Sequence, residues 1–144
     1  MSDDDLDSLL KDTRIVRNGQ KILSVRDNAI FLCDLEDEYG SAAACFADWP
    51  QEDLIGLLEM MKKRGGRLGG GTGQYFLRQL GKDSWVLSRD VVQALIREGV
   101  VDKNPTSKTA MRSVQAAFNE CAAESGRSFA HISRVLALSV GPSF

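Results

Sequence analysis

Residues 60–82 read Met60-Met-Lys-Lys-Arg-Gly-Gly-Arg-Leu-Gly-Gly-Gly-Thr-Gly-Gln-Tyr-Phe-Leu-Arg-Gln-Leu-Gly-Lys82. The stretch carries Lys62, Lys63, Arg64, Arg67, Arg78 and Lys82 and no acid, and six of the chain's 13 glycines fall within positions 65–73. Each glycine costs up to about 1 kcal/mol of helix propensity, so no helix survives that density. Upstream, Leu54, Leu57, Leu58 and Met61 form the apolar face of a helix that starts near Pro50 and reaches Lys63. Downstream, a helix runs from Thr72 to about Leu80. The pattern predicts helix, glycine turn, helix over about residues 51–80. Such a turn lets a ligand approach the backbone closely. Its amides and the following helix N-terminus form an anion site, and the cations around it make the anion a phosphate. Candidate phosphate-binding residues are Lys62, Lys63, Arg64, Arg67, Gly69, Gly70, Gly71, Thr72 and Gly73. Contacts of this kind position DNA without reading its sequence. A Walker loop would end in Gly-Lys-Ser/Thr after a strand; this run ends Gly-Thr-Gly-Gln after a helix. The plain alternative is a surface turn beside a solvated basic helix end.

The rest of the chain is helical in pattern, and the fold class is all-α. Ser2 or Asp3 caps a short helix with Leu6, Leu9 and Leu10 on one face. A long helix from Asn18 to Glu38 places Ile22, Val25, Ala29 and Leu32 on one face, and Ser41 opens a short helix carrying Phe46. Ser88 caps a helix from Arg89 to Glu98, Thr106 or Ser107 opens another that ends near Gly126, and Ser128 caps the last. Only Asp83 to Leu87 reads as an extended piece. Tyr75, on the helix after the glycines, is expected to pack inward.

The chain has 144 residues and a formal net charge of −2, the size of one compact domain. The charge is uneven. Residues 1–59 carry 14 acids and 5 bases, and residues 60–144 carry 6 acids and 13 bases, so −9 is set against +7. A basic half suits a polyanionic partner. No apolar run suffices to span a membrane, and Met-Ser-Asp-Asp-Asp is no signal peptide. Cys33, Cys45 and Cys121 match no Cys-x-x-Cys spacing. They read as reduced, mostly buried thiols; a metal site joining them to His131 is the alternative. No metal and no cofactor is expected, and residence is cytoplasmic, nucleoid-associated in a bacterium.

Residues 61–77 resemble the helix-hairpin-helix segment of the 3-methyladenine DNA glycosylase I family, where Lys-Lys-Arg-Gly leads through a turn to Gly-x-Thr and a helix. Asp12-Thr-Arg-Ile-Val-Arg-Asn-Gly-Gln-Lys-Ile22, with Asn28-Ala29 beyond it, is similar to a second stretch of the family. The order and separation agree, and the resemblance covers most of the chain. It implies a single helical domain over 1–144, a helix-hairpin-helix DNA glycosylase-like bundle corresponding to the larger C-terminal part of such enzymes. The implied activity is base excision repair. The protein would dock on duplex DNA, flip out an alkylated adenine and hydrolyse its N-glycosidic bond. An alkylated base is already a good leaving group and costs less to unstack.

The wider superfamily places an Asp after the hairpin, at the head of the next helix. The matching segment here is Trp85-Val-Leu-Ser-Arg-Asp-Val-Val92, which puts Ser88 at that position and Asp90 two residues on. Asp90 and Ser88 are the catalytic candidates, against the commoner reading of both as ordinary helix caps. The methyladenine branch is recognised for lacking that Asp. Trp49, Trp85 and Tyr39 are candidates to stack on a flipped base, against the commoner core role of aromatics. The family's base-pocket carboxylate and aromatics belong to a segment N-terminal to anything matched here, and its Cys/His zinc site has no counterpart. The resemblance therefore leaves two outcomes: a glycosylase acting on damaged duplex, or a truncated, non-catalytic DNA-binding module. Truncation would also expose apolar surface, implying self-association or a protein partner. Arg14, Arg17 and Lys21 either touch the far side of the DNA or pair with the acidic first helix. A helical protein-interaction domain using the acidic half is a third possibility.

Overall fold

Side-chain oxygens set most of the helix starts. Ser2, Asn18, Ser41, Asp53, Ser88, Ser107 and Ser128 each accept a hydrogen bond from a first-turn amide. They open α1 (Asp3–Lys11), α2 (Gly19–Tyr39), α3 (Ala42–Asp48), α4 (Leu54–Arg64), α6 (Arg89–Arg97), α7 (Lys108–Ser125) and α8 (Phe129–Ser139). Helix α5 (Gly71–Leu80) starts at Gly70 with no side-chain cap. These elements come from a computed structural model that describes residues 1–141, and among the described residues none is in a strand. The fold is all-α. No described helix is long and apolar enough to cross a membrane.

Packing pairs α1 with α2, α2 with α3, α4 with α5 and α7, and α8 with α6 and α7. Trp85 sits at the core with its ring centroid 5.0 Å from Phe118 and 5.3 Å from Phe129. A second aromatic chain, Phe31 to Phe46 to Phe76, ties α2, α3 and α5 together. Leu54, Leu57, Met61 and Leu77 on the inner faces of α4 and α5 are fully buried. Burial of each such side chain is worth roughly 1.5–3 kcal/mol, which fixes the hairpin helices to the core.

Three expectations change. Pro50 does not open α4; a single 3-10 turn over Gln51–Asp53 intervenes, and Asp53 caps the α-helix proper. Helix α2 buries Ile22, Phe31 and Leu35, while Val25 is 71% exposed and Ala29 is also exposed. Its inward face instead carries Ser24 and Asn28, because a polar turn packs there. The segment 83–87, read as extended, lies outside the helices and joins no ladder, and its Ser84, Trp85 and Val86 are buried. Side chains satisfy its backbone instead: Arg78 Nη2 donates to Ser84 O (2.9 Å), Gln74 Oε1 accepts from Leu87 N (2.8 Å), and Ser133 Oγ bonds both N and O of Val86. Of the three free thiols only Cys45 is buried, which pushes its pKa up; Cys33 and Cys121 are exposed.

Candidate nucleic-acid interface

The hairpin turn is clamped onto α2. Asn28 Oδ1 accepts from Gly66 N at 2.7 Å, and Asn28 Nδ2 donates to Gly66 O at 3.0 Å. The turn lies so close that a Cβ on Gly66 would meet Ser24 Cα at 3.3 Å. Arg67 follows at φ +61°, and its Nη1 donates to Gln20 Oε1 at 3.1 Å. Leu68 is buried and anchors the turn from below. Gly70 then adopts φ +58°, ψ −137°, which only glycine reaches without strain. Gly73 is buried, and a Cβ there would sit 2.4 Å from Leu68 O.

This path leaves the head of α5 bare. Among the described residues, the amides of Gly71, Thr72 and Gly73 donate to no acceptor. Lys62, Lys63, Arg67, Gly70, Gly71 and Thr72 are exposed, and Gly69 is half-buried against the Lys62 side chain. A concave surface of about 680 Å³ joins Lys21, Ser24, Arg67, Gly69 and Thr72. A second groove of about 500 Å³ runs between Lys62, Lys63, Gly70, Thr106 and Lys108. Lys108 is paired there with Glu59 at 3.1 Å. Free amides, a positive helix end and exposed cations together suit a phosphodiester.

Other candidates lie elsewhere or are already engaged. Arg64 does not join the phosphate set: its guanidinium grips Glu38 at 2.6 and 2.8 Å and lies 5.7 Å from the Phe31 ring centroid. The Arg64 hydrogen bonds hold the Glu38 carboxyl below its ordinary range. Trp85 is not available for base stacking, because its ring is wholly buried and its Nε1 has no partner. Ser88 Oγ accepts from Val91 N at 3.3 Å, so it caps α6; Asp90 is half-buried in the first turn of that helix. Trp49 clasps the α3–α4 corner: its Nε1 donates to Asp53 O, and its carbonyl accepts from Lys82 Nζ at 2.6 Å. Tyr39 ends α2 at 52% exposure. Tyr75 faces outward at 54% exposure rather than packing between the helices. Arg14 forks onto Asp12, just beyond α1, at 2.7 Å, whereas Arg17 and Lys21 form no ion pair among the described residues. Exposed His131 and the thiols join no metal-binding group among the described residues.

The residues that shape the turn escape a reading of the turn's own sequence. Asn28 has one local signal, since Asn is a poor mid-helix residue unless its amide finds a partner. Gln20, Gln74 and Asp83 carry none. Asp83 accepts from Phe129 N and Ala130 N, so it holds the start of α8 from 46 residues away. Compared with protein-family models, with curated proteins and with solved structures, the chain matches none of them.

Proposed function

We propose that this protein is a helix-hairpin-helix module that holds duplex DNA by its phosphate backbone. The observation that carries the reading is the bare N-terminus of α5, where exposed Gly71 and Thr72 have amides without acceptors beside Lys62, Lys63 and Arg67. Each cation placed on a phosphate releases counterions and adds about −0.9 to the slope of log K against log salt. Three such contacts give a slope of about −3. Anisotropy titrations of a labelled duplex of arbitrary sequence at several salt concentrations measure it. Replacing Lys62 and Lys63 by Ala is expected to flatten the slope by about two. An unchanged slope, or no binding at low salt, rejects the reading.

A second reading is that the module is an alkyladenine glycosylase acting on 3-methyladenine in duplex DNA. What favours it is that the two stretches carrying the family resemblance meet in space, at the Asn28–Gly66 clamp. The chain's own candidates for that chemistry are Asp90 and, displaced by its capping role, Ser88. Incubation of excess protein with duplex containing 3-methyladenine decides: base release above the uncatalysed rate supports hydrolysis, and its absence leaves the non-catalytic module.

A further inference from the structure

We propose that the groove between α5, α6 and α8 takes an unpaired nucleobase of the bound DNA, stacked on Tyr75. The inference rests on the phosphate-binding reading and adds the kind of DNA that the protein selects. Gly71, Thr72, Tyr75 and Arg78 are all exposed, and their spacing puts them on one face of α5. That stripe starts at the bare amides and runs into a groove of about 450 Å³ lined by Tyr75, Arg78, Val86, Ser88, Ser133 and Arg134. Tyr75 is 54% exposed and lines the groove, whereas its neighbour Phe76 is half-buried against Phe46. A half-wet aromatic beside a largely apolar wall leaves one ring face open to a planar partner.

The charges around the ring are of one sign. Exposed Arg78 and Arg134 line the groove beside it, and neither α5 nor α8 contains an Asp or Glu. On α6 the nearest acid is Asp90, which does not line the groove. Arg78 already gives one nitrogen to Ser84 O and keeps the rest of its fork. An aromatic platform within a cationic groove binds nucleic-acid bases by stacking. The groove's hydroxyls are engaged with the protein: Ser88 caps α6, and Ser133 bonds Val86. Stacking here is therefore tolerant of base identity. A base inside an intact duplex is covered on both faces by its neighbours and cannot reach the ring. The site selects DNA in which a base is already out of the stack, at a bulge or a gap.

The test uses two duplexes of the same sequence, one intact and one carrying a single unpaired 2-aminopurine. The protein is expected to bind the bulged duplex about tenfold more tightly and to quench the 2-aminopurine. Tyr75→Ala removes both effects and leaves intact-duplex affinity as it was, which also reports that the fold survives; Tyr75→Phe keeps both. Equal affinity of the unaltered protein for the two duplexes overturns the inference, as does a preference that survives Tyr75→Ala. Binding to neither duplex at low salt is the separate outcome that removes the phosphate reading and this inference with it.

Discussion

Single residues decide whether the turn keeps its shape. Asn28 satisfies both polar groups of Gly66, so Asn28→Ala strands a partly buried amide and is expected to cost about 1–3 kcal/mol. Urea unfolding measures this, and DNA affinity should fall in parallel. The glycines divide in the same way. Gly73→Ala places a methyl against Leu68 O and should destabilise by about 1–3 kcal/mol. Gly71→Ala meets nothing within 4 Å and should be neutral or stabilising by about 0.4–1 kcal/mol. The Arg64–Glu38 pair sets a pH dependence. The Glu38 carboxyl lies below its ordinary 4.5 in the folded protein, so its contribution is present above that value and lost as pH falls through the lowered one. Glu38→Gln should therefore flatten the acid side of the stability profile, measured by unfolding from neutral pH down to about pH 3. Nothing local in the sequence shows this pair, because its members are 26 residues apart.

At the level of elements, what depends on nearest neighbours is legible and what depends on docking is not. A serine before an apolar run bonds an amide three residues away, so Ser41, Ser88, Ser107 and Ser128 mark their helices whatever the rest of the chain does. The face that a helix buries is a tertiary outcome. On α2 the apolar spacing points to Val25 and Ala29, yet the hairpin needs Ser24 and Asn28 beneath it, and the helix turns accordingly. The glycine hairpin itself can be read from composition, but which of its cations are free cannot. Arg64 and Arg67 look equivalent in Lys-Lys-Arg-Gly-Gly-Arg; one is spent on Glu38, and the other rests on a neutral glutamine. Arg67→Ala is expected to lower the salt slope of DNA binding by about one and Arg64→Ala to leave it unchanged. Glu38→Gln, by releasing Arg64, should steepen it.

Across the whole molecule, the −9 and +7 halves are contiguous in sequence but not separate in space, since acidic α2 packs against the basic turn. Their contact through Glu38 and Arg64 holds two oppositely charged segments in one fold. The centre of that fold is Trp85, which the family-like frame offers for base stacking and the core claims instead. Trp85→Ala should cost about 3–5 kcal/mol, and Trp85→Phe less, because its Nε1 makes no hydrogen bond to lose. Cooperative unfolding monitored by circular dichroism tests both. The uncapped start of α5 has a kinetic consequence as well. Amides that lack an acceptor exchange their hydrogens with solvent almost as fast as in an unfolded chain. Exposed Gly71 and Thr72 should thus exchange within the dead time of a hydrogen–deuterium experiment while the next turn of the same helix is protected. A phosphate seated there supplies the missing acceptor, so the slowing of those two amides becomes a direct clock for DNA residence.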